Sequence, residues 1–142
     1  MIRLVVDASV AVKWFVRDTQ EEKDVTSAVD ILIGFGKNSI ELIQPPHWMA
    51  EVIAVLARLQ PDFTNDAIDL LDAMEIPIRA DNSVFKLASH LAIELNHHLF
   101  DTLYHAVAIQ ENATLLTADH HYFRKSVNHG SICMLADFDF DT

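Results

Sequence analysis

Met1-Ile2-Arg3-Leu4-Val5-Val6-Asp7-Ala8-Ser9 opens the chain. Ile2 to Val6 is a short apolar run, rich in β-branched residues and without alternation. It reads as a strand buried on both faces, the kind found in parallel sheets covered by helices. Asp7 follows at once, and Ala8 to Val16 then reads as helical, with Ser9 as a local cap. Open α/β sheets bind their ligands beyond the carboxyl ends of the strands. Asp7 stands at such an end and is the first candidate site residue.

Outward from this junction, short apolar runs alternate with longer stretches of helical periodicity. Ile40 to Ile43, Ile76 to Arg79, Thr114 to Thr117 and Ile132 to Leu135 read as further strands. Pro77 marks the second of these as an edge or a strand start. Helices are predicted over Glu21 to Phe35, Trp48 to Leu59, Phe63 to Met74, Asn82 to Asn96, Asp101 to Glu111 and Asp119 to Ser126. Strands separated by helices imply a parallel sheet with crossovers, because parallel neighbours cannot be joined by a tight hairpin. Glycine is scarce, and no linker, repeat or low-complexity tract interrupts the pattern, so residues 1–142 read as one α/β domain.

Composition bounds the function. The 142 residues include 10 Lys+Arg against 21 Asp+Glu, a formal net charge of −11. That balance excludes a protein that grips nucleic acid through a broad basic face. It leaves open chemistry on phosphates at a metal site. Hydrophobic residues make up 51% of the chain, enough for a real core, so disorder is excluded. The lone Cys133 rules out an intramolecular disulfide framework and a Cys-only zinc site. No apolar run approaches the roughly 18 residues of a membrane span, and Asp7 cuts the first run short of a signal-peptide core. A soluble cytoplasmic protein is the expectation.

Four acids fall at informative places. Asp7 ends the first strand, Asp119 follows Leu115-Leu116-Thr117 by one small residue, Asp101 opens a helix, and Glu51 lies early on the helix after Pro45-Pro46. Each also has a plain structural reading. Asp101 and Asp119 suit helix N-caps. Glu51 would serve as a solvated face residue, although Met49, Val52, Ile53 and Val55 surround it with apolar neighbours. If these carboxylates converge, they repel one another, and a hard divalent cation such as Mg²⁺ or Mn²⁺ relieves that repulsion. Such a cation activates water and stabilises charge on a phosphoryl group.

At these residues a family pattern emerges. Val5-Val6-Asp7-Ala8-Ser9-Val10-Ala11-Val12-Lys13-Trp14-Phe15 resembles the opening of a PIN-domain ribonuclease, in particular the VapC-like toxins of toxin–antitoxin pairs. Pro45-Pro46-His47-Trp48-Met49-Ala50-Glu51-Val52 is similar to the second motif of that family. Phe100-Asp101-Thr102-Leu103-Tyr104-His105-Ala106-Val107-Ala108 is similar to the third, and Leu115-Leu116-Thr117-Ala118-Asp119 with Phe123 to the fourth. The four motifs cover nearly the whole chain in family order. The resemblance implies a PIN-like parallel sheet of order 3-2-1-4-5, flanked by helices on both faces. It implies Mg²⁺- or Mn²⁺-dependent hydrolysis of RNA phosphodiesters by a metal-activated water. Asp7, Glu51, Asp101 and Asp119 become the acidic quartet, with Asp7 and Asp101 as direct metal ligands. Glu51 and Asp119 would ligate through water or complete a second metal site. Ser9 and Thr117 would orient the acids by hydrogen bonds. A homodimer and a cognate antitoxin partner are also implied.

Other features are weighed against plainer roles. Lys13 and Arg17, four apart on the helix after Asp7, are candidate RNA contacts or simply surface cations. Arg124 and Lys125 raise the same choice. His97, His98, Asp101 and His105 invite a transition-metal reading, with Asp101 and His105 on one helical face, but no HExxH or cysteine ligand set supports zinc. His120 and His121 beside Asp119 would touch substrate or face solvent. The rival to an enzyme is a non-catalytic PIN-like module that binds RNA or protein. A phosphoacceptor receiver domain fails because Cys133 to Phe140 contains no Lys, and an Asp-x-Asp phosphatase fails because Ser9 holds the second Asp position.

Overall fold

The computed structural model describes residues 1–16 and 22–140. β1 (Ile2–Val6) leads into α1 (Ala8–Ala11), which tightens into a 3-10 turn over Val12–Trp14. Then follow α2 (Glu22–Gly36), β2 (Ile40–Leu42), α3 (Trp48–Leu59), α4 (Thr64–Ala73), α5 (Asn82–Leu95) and α6 (Leu99–Gln110). β3 (Thr114–Thr117), α7 (His120–Ser126) and β4 (Ile132–Met134) complete the order. Among the described residues, no helix is long and apolar enough to cross a membrane.

The sheet is parallel, in the order β2-β1-β3-β4. Leu4 pairs with Leu42 on one side of β1 and Thr114 on the other, and Leu115 pairs with Ile132 across β3 and β4. Successive strand residues point to opposite faces. Leu4, Val5 and Val6 are all 0% exposed, so both faces of β1 are covered. α6 packs on β1 and β3 with α5 behind it, and α2 packs on β2. The chain leaves β1 towards β2 on one side and returns at β3 on the other. The strand order therefore reverses at the β1–β3 junction, the place where α/β sheets open a crevice at their carboxyl edge.

The order of four strands matches expectation; the fifth strand does not form. Ile76 to Arg79 contributes one parallel bridge, Ile78 to Gln44. Pro77 offers no N–H to extend a ladder. Gln44 supplies the other reason. Its backbone N–H donates to Pro77 O at 3.0 Å and its carbonyl accepts from Arg79 N at 2.9 Å. Its fully buried side-chain amide turns back to β1, accepting from Val6 N and donating to Val6 O, both at 2.8 Å. One side chain thus replaces a strand residue beside Val6, immediately before Asp7.

Two close approaches set the packing around the sheet. A Cβ on Gly34 would meet Ile40 Cγ1 at 2.7 Å, so only glycine lets α2 lie this close to β2. Towards the C-terminus, Phe138 and Phe140 pack on the core with their rings edge to face.

Candidate active site

Asp7, Glu51 and Asp101 line one pocket of about 440 Å³ together with Ala8, Ser9 and Val12. Asp7 arrives there because β1 ends beneath it: its N–H donates to Leu116 O at 3.0 Å, continuing the sheet by one residue. Its carbonyl then starts α1, accepting from Val10 N and Ala11 N. The carboxylate bonds the Ser9 side chain at the start of that helix and lines the pocket. Glu51 projects from the first turn of α3, which starts just after Pro45-Pro46. Asp101 lies in the first turn of α6, not at its cap, because that helix begins two residues earlier than expected, at Leu99.

Side-chain hydrogen bonds fall on one oxygen of each of these carboxylates. Asp7 Oδ2 accepts from Ser9 Oγ at 2.5 Å and Thr117 Oγ1 at 3.3 Å. Glu51 Oε1 accepts from Tyr104 OH at 2.7 Å and lies 3.4 Å from His47 Nε2. Asp101 Oδ2 is 2.7 Å from His97 Nε2. Tethering one oxygen restricts the orientation of the carboxylate and leaves the other oxygen outside these bonds. This one-sided anchoring is how outer hydrogen bonds orient metal-binding acids.

The electrostatics agree with a crowded anionic site. Burial pushes the Asp7 carboxyl up to about 6, Asp101 and Glu51 push the same way, and the Ser9 hydrogen bond opposes them. Burial also acts on Glu51, but hydrogen bonds from His47 and Tyr104 outweigh it and hold this carboxyl below its ordinary value. Tyr104 is raised well above the ordinary phenol range, first by burial and then by Glu51, so it remains a donor.

Asp119 stands apart from this trio. Its Oδ1 accepts from Tyr122 N at 3.2 Å, capping α7 as the plainer reading has it. Its backbone N–H donates to Thr117 Oγ1 at 3.0 Å, and that same hydroxyl reaches Asp7. Ser9 Oγ likewise accepts from Ala118 N at 3.1 Å. Ser9 and Thr117 therefore tie the ends of β1 and β3 together beside Asp7.

The remaining candidates move. Lys13 is 8% exposed and has interactions within the fold, so it is not the surface cation that its helical position suggests. Arg17 lies outside the described residues. The proposed Asp101–His105 metal pair does not form. His105 is fully buried, with Tyr122 OH at 2.8 Å from Nδ1 and Gly130 O at 2.7 Å from Nε2, and burial lowers its basicity. The partner of Asp101 is instead His97, four residues earlier, whose spacing was the available signal. Tyr104 and His47 were missed as partners of Glu51; the four-residue spacing of His47 was an available signal, whereas nothing in the local sequence announces the contact of Tyr104, 53 residues away.

The donor set tests the metal expectation. Among the described residues, no three His, Cys, Asp or Glu side chains close around one point. Mg²⁺ does not need three: it keeps several waters and is held by one or two carboxylates plus substrate phosphate. An all-oxygen pocket with mutually repelling acids, one of them driven towards protonation, fits that ion and its relative Mn²⁺.

The fold and pocket define an α/β protein with a carboxylate crevice at the carboxyl edge of its parallel sheet. The chain belongs to the PIN domain family, which it matches over residues 4–127; members of that family are typically nucleases. No curated protein sequence matches the chain. Among solved structures, VapBC2 from Rickettsia felis bound to a promoter DNA fragment is similar at 17% identity and TM-score 0.68, covering 97% of this chain and 100% of that one. FitAcB from Neisseria gonorrhoeae is similar at 16% identity and TM-score 0.68, covering 95% and 99%. PAE2754 from Pyrobaculum aerophilum is similar at 17% identity and TM-score 0.63, covering 94% and 90%. At these identities the likeness is one of fold.

Proposed function

We propose that this protein is a metal-dependent endoribonuclease, the toxin component of a toxin–antitoxin pair. The observation that carries the reading is the convergence of Asp7, Glu51 and Asp101 on one pocket at the strand-order reversal. Asp7 and Asp101 would hold Mg²⁺ or Mn²⁺ directly, Glu51 through water. Asp119, which caps α7 and does not line the pocket, would reach it through water or serve a second ion. The cation supplies an activated water and stabilises charge on the phosphoryl group being hydrolysed.

The chain's own residues prepare that chemistry. Ser9 and Thr117 hold the Asp7 carboxylate in one orientation, and His97 does so for Asp101. His47 and Tyr104 keep Glu51 ionised and aimed. The pocket is too acidic to hold the scissile phosphate without a cation, which makes cleavage strictly metal-dependent.

The partner reading rests on the likeness to VapBC2 and FitAcB. An antitoxin segment with apolar side chains would fit the groove of about 570 Å³ lined by Trp14, Phe15, Leu32, Phe35, Phe63 and Leu70. Basic residues on it would meet the carboxylates. A homodimer is part of the same proposal, and light scattering at micromolar concentration checks it; a monomer alone would remove it.

Purified protein is expected to cut RNA in Mg²⁺ or Mn²⁺, to stop in chelator, and to lose activity on Asp7→Ala. Cleavage by Asp7→Ala at the wild-type rate would refute this site. A metal-supplied wild type that binds RNA without cutting would leave the non-catalytic module.

A further inference from the structure

Beside the carboxylate pocket lies a second one, of about 380 Å³, lined by Asn96, His97, His98, His121 and Lys125. Its chemistry is the reverse of its neighbour's: it holds a lysine and three imidazoles, and no carboxylate among the described residues lines it. His97 is the wall between the two. Its ring lines the second pocket while Nε2 bonds Asp101, a lining residue of the first.

The pocket is built, not accidental. Asn96 takes a left-handed conformation (φ 51) at the C-cap of α5 and turns the chain into His97-His98. Its carbonyl accepts from Lys125 Nζ at 3.0 Å, and His97 Nδ1 accepts from the same ammonium at 3.2 Å. Lysine only donates, so Nδ1 is the acceptor and the proton of this ring sits on Nε2, facing Asp101. Two of the three N–H groups of Lys125 are thus used on the protein. The His97 ring is 7% exposed and packs on Tyr122 at 4.8 Å, with the rings of His98 and His121 each 5.9 Å away. His98 and His121 themselves are exposed.

We propose that this pocket binds a backbone phosphate of the RNA strand, one flanking the phosphodiester that lies over Asp7, Glu51 and Asp101. The third Lys125 N–H and an N–H from each of His98 and His121 are the donors. This rests on the ribonuclease reading and adds to it the strand's anchor. On a surface carrying net charge −11, a local cationic anchor is what lets a polyanion approach the acids in register.

Binding without cleavage tests it. Fluorescence anisotropy of a short fluorescein-labelled single-stranded RNA is measured in chelator across about 50–200 mM salt, for wild type, Lys125→Met and His98→Gln. Lys125→Met is expected to weaken binding about 3- to 10-fold and to flatten the slope of log K against log salt by about 0.7, the signature of one lost phosphate contact on a single strand. His98→Gln, at an exposed ring, should weaken binding less and checks that the loss is not misfolding. RNAs carrying one neutral methylphosphonate at successive linkages locate the contact. One position should cost wild type the same factor, and Lys125→Met should be indifferent there. An unchanged slope in Lys125→Met, while wild type binds and cuts RNA, overturns this inference and leaves the ribonuclease reading standing. An effect only on metal-supported turnover makes Lys125 a prop for His97 and likewise overturns it. Wild type that neither binds nor cuts RNA overturns both.

Discussion

Replacing Asp7 with Asn removes a charge that the fold holds at a cost. A carboxyl raised from 3.8 to about 6 corresponds to about 3 kcal/mol favouring its protonated form in the folded state. Asp7 is only partly buried, so water at its open side reduces the effect, and about 1–2 kcal/mol is the expected remainder. The folded pKa lies above the unfolded one, so the cost is absent well below the unfolded value of 3.8, grows from there to about pH 6, and is complete above it. Asp7→Asn is therefore expected to unfold about 3–6 °C higher than wild type at pH 8 in chelator. At about pH 4 most of that gap should be gone, since there folded Asp7 is neutral and the unfolded carboxyl is only about half ionised. Mg²⁺ should raise the wild-type midpoint and not that of Asp7→Asn, because an ion that binds only the folded state stabilises it by mass action. The variant should cut no RNA. Scanning calorimetry or far-UV dichroism at the two pH values reads the result. Asp7→Asn less stable than wild type at pH 8, or equally stabilised by Mg²⁺, would refute the picture of a charge-strained site relieved by a cation.

Other consequences follow from single contacts. Gln44→Ala strands the buried Val6 N–H and carbonyl that its amide satisfies, and should cost about 2–4 kcal/mol in urea unfolding; a loss under about 0.5 kcal/mol would mean that water replaces the amide. Tyr104→Phe deletes a donor to Glu51 and should weaken Mn²⁺ binding about 10-fold by titration calorimetry. Unchanged Mn²⁺ affinity would remove Glu51 from the metal's surroundings.

The sequence was most legible where local chemistry and tertiary packing agree. α3 runs from Trp48 to Leu59 as read, because Pro45-Pro46 can only precede a helix here and Gln60-Pro61 can only end it. β1 was legible because an unalternating β-branched run has few other fates. The fifth strand was misread: the run Ile76 to Arg79 is apolar enough, but Pro77 and the inward turn of Gln44 leave one bridge. No local pattern tells a solvated glutamine from one that pairs with a strand.

The same division holds in the site. Asp7 was identifiable from its position at the end of β1. Asp101 was identifiable as an acid but not by its partner, since His97 and His105 are both four residues away and only packing buries His105 against Tyr122 and Gly130. Tyr104 and Glu51 are 53 residues apart, and Lys125 and His97 are 28 apart. Contacts at such separations depend on how helices cross, which no local spacing encodes.

By itself, then, the amino-acid sequence determined the alternation of strands and helices, the parallel sheet, the acids at its carboxyl edge and the family they resemble. These follow from periodicity and from residue types with narrow conformational choices. Tertiary structure alone decided that three of the four acids share a pocket while Asp119 caps a helix. It also decided that Lys13 is buried, that each pocket acid is tethered through one oxygen, and that a cationic pocket stands next to the anionic one. The physical reason is that burial and hydrogen-bond partnership are properties of the packed whole: a carboxylate or an ammonium acquires its role from neighbours that the fold, not the chain order, brings within 3 Å.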